Sequence, residues 1–346
     1  MRPFTHAHRG ALLACLVLIC CVSSAHPQKS MEDTAGLVLW RDPGPIRTRN
    51  LRLGPGAMRL APTAPFTFVK EDKSGESPKF EVKDARGTTW VVKLGKEAQA
   101  ETFATRLVWS VGYYTEEAYY FPRVRIRGMK KLSRGMDFVG QRGLIRGARF
   151  EPRRSHIKRG PTWDWTNNPF AGTPELSGLK ILMILLNNYD ARKENNRVLY
   201  VDEPGRGLVG RYTVTDLGAT LGRAGGLGGK RSKNNLRDFL STRFVLGVHD
   251  DGSVQFDYDT RPRGFGHLTV VYPPYYRGQV KKEKAMRGIP LEHAQWMGSL
   301  LSQLTDNQLR DGFAAAGYNR SIANAYVTAL RQRINQLNRL EGFSLR

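Results

Sequence analysis

Asn188-Tyr-Asp-Ala-Arg-Lys-Glu-Asn195, followed by Val214-Thr-Asp-Leu-Gly218, is the stretch whose reading decides the fold. It supplies a carboxylate at Asp190, an amide oxygen five residues on at Asn195, and a second carboxylate at Asp216 beside a glycine. A carboxylate placed like Asp190 can accept the proton of an attacking hydroxyl. Asn195 and Asp216 offer hard oxygen ligands, which suit a magnesium ion bridging nucleotide phosphates. Upstream, Lys93 lies in the apolar run Val91-Val-Lys-Leu94, and Glu101 lies near the start of the next helix. Either is unremarkable alone. Together with the downstream acids they make a set that can hold phosphates, hold metal and move a proton.

The pattern around these residues predicts how they are carried. Pro65-Phe-Thr-Phe-Val-Lys70 alternates like a strand, Phe80–Lys83 follows as a second and Thr88–Leu94 as a third, an antiparallel meander with turns between. The turn at Ser74-Gly-Glu-Ser77 has the position of a phosphate-covering loop but only one glycine. Lys96–Val111 reads as a helix with Phe103, Leu107, Val108 and Val111 on one face and Gly112 as its stop. Tyr119–Ile126 and Leu144–Phe150 read as further strands. Thr173-Pro-Glu is a helix start, and the nearly all-apolar Leu176–Leu186 after it reads as a core helix that delivers the chain into Asn188. Val198–Val201 and Leu208–Val214 read as a hairpin ending on Asp216.

Other segments read less sharply. Gly218–Gly229 with Lys230-Arg-Ser-Lys233 fails as a nucleotide P-loop, since Arg231 stands where Ser or Thr is needed; it reads as a mobile basic loop. Tyr272-Pro-Pro-Tyr-Tyr276 reads as a packed loop. Leu236–Phe244 reads as a short helix, and Thr305-Asp-Asn-Gln308 as a capping box. The amphipathic Ser321–Leu340 reads as a helix laid on the body.

Residues 1–25 read as a cleavable signal peptide: Arg2 and Arg9, an apolar run from Ala11 to Val22, then Ser23-Ser-Ala25. Secretion or a periplasmic location is the expectation, with a lipid or uncleaved anchor as the lesser alternative. All three cysteines, Cys15, Cys20 and Cys21, lie in this leader, so the mature chain has no disulfide and no cysteine metal site. Beyond it stand 52 basic against 31 acidic residues, a net +21. That charge favours an anionic partner or a membrane surface. Nucleic acid is disfavoured, because no motif for reading it accompanies the charge. His156, His249, His267 and His293 are scattered and form no metal cluster in sequence.

The order strand lysine, helix glutamate, buried helix, Asp-x4-Asn, hairpin, Asp-x-Gly resembles the atypical protein kinases: the HipA-type kinases, the type II phosphatidylinositol kinases and the secretory-pathway casein kinases. Their catalytic loop reads Asn-x-Asp-Arg-x-x-x-Asn. Here Ala191 stands in the arginine position and Arg192 follows. Glu101-Thr-Phe-Ala-Thr-Arg-Leu107 resembles the HipA-type glutamate helix. The resemblance implies an α+β, two-lobed fold, with an antiparallel-sheet N-lobe over residues 63–153 and a mainly helical C-lobe over 154–346; the Pro/Arg-rich composition of 26–62 itself reads as a linker or loosely packed arm, with Trp40 available to dock it on the body. By it Lys93 holds the nucleotide phosphates, Glu101 orients Lys93, Asp190 is the base, and Asn195 and Asp216 bind Mg2+ or Mn2+. ATP and an unidentified hydroxyl-bearing substrate are then the partners. Glu97 rivals Glu101, and Asn196 rivals Asn195. The alternative is an inactive pseudokinase-like scaffold that binds an anionic partner through its basic surface.

Overall fold

The computed structural model describes residues 36–227, 231–260, 262–263 and 273–340. The leader therefore lies outside the described residues. Among the described residues no helix is long and apolar enough to cross a membrane.

The alternating segments form strands β2 (Phe66–Asp72), β3 (Lys79–Lys83), β4 (Thr89–Leu94), β5 (Tyr119–Arg127) and β6 (Leu144–Pro152); β1 is the short Gly36–Val38 described below. The meander of β2, β3 and β4 is antiparallel as expected, but the sheet does not stay open. It closes into a barrel in the order β2-β3-β4-β6-β5 through a parallel pairing of β2 with β5, Phe66 opposite Ile126. Closure removes both exposed sheet edges. The inward residues, among them Phe66, Phe80, Trp90, Val92, Ile126, Ile145 and Phe150, fill the interior. Phe66 and Phe150 meet at 4.9 Å between ring centroids.

Helix α1 (Glu97–Ser110) leaves the barrel directly after β4. The one-sided apolar pattern predicts a single buried face, yet nearly the whole helix is buried, including Thr102, Thr105 and Arg106. The reason is its place between the barrel and the C-terminal helices. Phe103 stacks on Phe313 with centroids 3.6 Å apart. The buried polar groups bond back to carbonyls: Thr102 Oγ1 donates to Ala98, and Arg106 to Thr102 and Ala118.

The second lobe is built on α2 (Pro174–Leu185), capped by the Thr173 hydroxyl, which accepts from the Leu176 N–H. It is followed by the hairpin of β8 (Asn196–Glu203) and β9 (Gly207–Val214), with the two-residue β7 (Lys158–Arg159) beside β8. The helices Leu291–Ser302, Asp306–Ala315 and Arg320–Leu337 pack behind α1 and α2. The capping box at Thr305 is present. The last helix buries Tyr326, Leu330, Ile334 and Leu337 against the body.

Three expectations need correction. The arm is not loosely packed from Gly36 on: β1 pairs in parallel with β9, and Leu39, Ile46 and Leu51 are buried in the main core. Trp40 donates to the Val111 carbonyl at 2.7 Å and meets Trp296 edge-on. The sequence hid this because Pro and Arg spacing masked three isolated apolar anchors. Secondly, Pro273–Ala285 is a helix, not a loop. Prolines at a first turn lose no hydrogen bond, so they start the helix where they were expected to prevent one. Thirdly, the described part of the basic loop is anchored. Ser232 and Arg223 exchange backbone hydrogen bonds at 3.1 Å, and the Asn234 and Asn235 N–H groups donate to Thr220 and Leu221.

Candidate active site

Lys93 points from β4 into the cleft between the lobes. Its ammonium lies 2.8 Å from Glu97 Oε2, 3.0 Å from Glu101 Oε2 and 3.5 Å from Asp216 Oδ1. The side chain is only 9% exposed. Burial pushes its pKa down, but Glu101 and Asp216 overcome this and raise it, so Lys93 is firmly charged. Both rivals on α1 thus touch the lysine, four residues apart on one helix face. They differ in surroundings. Glu101 is the deeper one, and Arg149 of β6 reaches its Oε2 at 3.2 Å from the other side. Burial holds the Glu101 carboxyl above its ordinary range, with Arg149 and Lys93 opposing that rise. Two cations lie within 3.2 Å of it. Glu97 faces the cleft. It accepts from the Ser77 hydroxyl at 2.6 Å and pairs with Lys233. Burial raises its carboxyl, yet Lys93, Lys233 and Ser77 together hold it down at about 2.

Glu97, Glu101 and Asp216 each bring a carboxylate oxygen within 4.8 Å of the other two. The Lys93 ammonium already sits among them, so the cation this cluster balances is the lysine itself.

The second part of the site is the loop after α2. Asp190 follows a tight turn in which Asn187 adopts a left-handed φ of 53° and the Asp190 N–H donates to Asn188 Oδ1 at 2.8 Å. Asn195 Nδ2 donates to both the Asp190 carbonyl, at 2.8 Å, and Asp190 Oδ2, at 3.0 Å. Its amide nitrogen is thereby used, leaving the carbonyl oxygen as its metal-capable atom. The Asn195 backbone carbonyl, a different atom from its side-chain oxygen, accepts from the Thr215 N–H at 2.8 Å, which fixes Asp216 one residue later against the same loop. Asp216 Oδ1 accepts from the Gly218 N–H at 3.0 Å, and the side chain is 41% exposed to the cleft. Asn196, the rival of Asn195, is fully buried, and its Nδ2 donates to the Trp163 carbonyl away from the cleft.

All five predicted residues therefore sit on the elements expected of them. Lys93 touches both Glu101 and Asp216; Asp190 and Asn195 meet each other, and Asn195 ties to Asp216 through Thr215. A strand lysine paired with a helix glutamate, above an Asp-x4-Asn loop joined to an Asp-x-Gly turn, decides the architecture. This is a protein-kinase-like fold, α+β and two-lobed.

No family model matches the sequence, and no curated protein matches it. Two solved structures are similar to most of this chain, at low identity. One is the Helicobacter pylori proinflammatory kinase CtkA, with 12% identity and a TM-score of 0.43, the match covering 82% of this chain and all of that one. The other is a Golgi casein kinase, with 9% identity and a TM-score of 0.35, covering 82% of this chain and 72% of that one.

Several participants in the kinase-like cleft escaped the sequence reading. Arg149 stands opposite Lys93 in the β4–β6 register, a pairing between residues 56 positions apart that no local pattern reveals. Arg192 forms a two-point ion pair with Asp190, Nε to Oδ1 and Nη2 to Oδ2 both at 2.8 Å, and Lys282 approaches Oδ1 at 3.6 Å. The displaced arginine of the loop motif was the available clue to Arg192. Behind the loop, the buried Arg333 donates to the Leu185 and Phe239 carbonyls at 2.6 and 3.1 Å and to Thr242 Oγ1 at 2.7 Å, its guanidinium 3.9 Å from the Phe239 ring centre. It binds the end of α2 to the short helix α3 (Leu236–Leu240).

Proposed function

We propose that this protein is a phosphotransferase that moves the terminal phosphoryl group of ATP to a hydroxyl acceptor. The observation that carries the reading is the Lys93 ammonium locked between Glu101 and Asp216, with the Asp190–Asn195 pair joined to Asp216 through Thr215. Lys93 binds phosphate oxygens, and Glu101 holds Lys93 in place. Asp190 takes the proton of the acceptor hydroxyl as that oxygen attacks phosphorus in line and the ADP oxygen leaves. The donor set suits Mg2+ or Mn2+: the Asn195 carbonyl oxygen and the exposed side of Asp216 are hard, anionic or neutral oxygens with no thiol or imidazole beside them. When bound there, the ion neutralises charge on the transferring phosphates. An exported location by way of the leader belongs to the same proposal, as does a protein, lipid or sugar acceptor.

A second reading, an inactive scaffold, is favoured by two observations. Arg192 and Lys282 already occupy both oxygens of Asp190, and the turn over the cleft has a single glycine. Mass spectrometry of the purified chain after incubation with ATP and Mg2+ or Mn2+ separates the two. Phosphoryl transfer to the chain or to a generic acceptor, lowered roughly 10²–10⁴-fold in Asp190→Asn, supports catalysis. A metal-dependent rise in melting temperature with ATP, lost in Asp216→Ala, supports the nucleotide site. Absence of both effects overturns the phosphotransferase reading.

A further inference from the structure

The outer face of the N-lobe barrel carries charge that the fold does not neutralise. On β5, Val124 and Ile126 point inward, so Arg123, Arg125 and Arg127 stand outward and exposed. Residues two apart on one strand face repeat at about 7 Å. The register sets the exposed Arg146 of β6 directly opposite Arg123. Lys130 and Lys131 continue the basic run beyond the strand.

On neighbouring parts of this molecule several arginines are matched to acids. Arg153 has Asp72 and Glu81, Arg154 has Glu117, Arg159 has Glu116, and Arg211 has Glu203. Among the described residues, no carboxylate lies within 4.0 Å of Arg123, Arg125, Arg127 or Arg146, whereas Glu71 on the neighbouring β2 is taken by the Ser133 hydroxyl and N–H. Like charges directly opposite on paired strands are destabilising. A face that needed only solubility would intersperse the signs.

We propose that the outward face of β5 and β6 binds a linear phosphodiester polyanion lying along β5, held by Arg123, Arg125, Arg127 and Arg146. Guanidinium groups grip phosphate oxygens in pairs, and their regular spacing suits a flexible chain of repeating anions. A bilayer is the weaker occupant. The barrel is closed and convex, and no large apolar side chain of β5 or β6 is exposed to insert beside the charges. Recognition is by charge without sequence reading. The surface lies on the barrel exterior and does not depend on the cleft chemistry.

The test is fluorescence anisotropy of a labelled oligothymidylate, titrated with the mature chain between about 50 and 300 mM KCl. Four phosphate contacts give log K against log[salt] a slope of about −3, at roughly −0.7 per contact for a single strand. Arg123→Gln/Arg125→Gln/Arg127→Gln lowers the magnitude of that slope by about 2 and keeps the melting temperature, because all three side chains are solvent-facing. The control Arg59→Gln/Arg237→Gln/Arg320→Gln removes the same charge elsewhere and leaves binding nearly unchanged. Asp190→Asn leaves it unchanged too, so failure here is distinct from failure of the phosphotransferase reading. The proposal is overturned by equal losses in the two triple variants, by no oligonucleotide binding at 50 mM KCl, or by β5-dependent binding to phosphatidylglycerol vesicles alone.

Discussion

Replacing Lys93 with methionine keeps the stem and removes the charge that three carboxylates share. Breaking a buried ion pair from one side costs about 3–5 kcal/mol, because the other partner is left buried and uncompensated. Here the lower end applies. Glu101 keeps Arg149 at 3.2 Å, Glu97 keeps Lys233 and Ser77, and Asp216 is half open to water. For a cooperative unit of roughly 300 residues, about 2.1 cal/mol/K per residue converts about 3 kcal/mol into a fall of about 5 °C in Tm. The double variant Lys93→Met/Glu101→Gln also removes the deepest orphaned charge, so it recovers at least about 1 kcal/mol against additivity. The pH dependence has a definite sign. Glu97 is held at about 2 in the folded protein, so its stabilisation is present above the ordinary carboxylate range and is lost as pH falls toward 2. Lys93→Met takes away the leading attraction that depresses it. The gap between wild type and variant is therefore widest above about pH 5 and narrows on acidification. Thermal unfolding followed by circular dichroism at a series of pH values measures all three quantities. A fall of under about 1 °C, no coupling in the double variant, or a gap that widens in acid refutes the reasoning.

Two further outcomes follow from the packing. Gly112→Ala is expected to cost about 2–4 kcal/mol, since Gly112 has φ of 101° and an added Cβ would collide with the Arg41 carbonyl and the Trp40 indole; limited proteolysis should then cut before residue 62 while the barrel stays intact. Arg333→Met is expected to cost about 3 kcal/mol by orphaning the Leu185 and Phe239 carbonyls, and hydrogen exchange should show Asn187–Asn195 and α3 losing protection together.

The elements that carry the site were legible because their signals are local. An apolar strand around Lys93, a capped apolar helix before Asn188 and a hairpin before Asp216 each announce themselves within a dozen residues. Both glutamates on α1 were legible as candidates, though spacing alone could not rank them; depth and the Arg149 contact distinguish them, and those are tertiary facts. Barrel closure was not legible, because it rests on a parallel pairing between strands about 60 residues apart that leaves no trace in alternation. Lys233 was hidden for a related reason. A basic residue in a glycine-rich stretch reads as solvated until the fold places a carboxylate against it.

The strap from Gly36 to Leu51 bears on anyone who shortens this protein. A chain begun at residue 63, where the barrel starts, would look like a tidy two-lobed body. It would instead expose the outer edge of β9 and three empty sockets, those of Leu39, Ile46 and Leu51. An unpaired edge beside vacant apolar holes invites self-association, so insoluble material from such a truncation would report a missing strand rather than an unstable core.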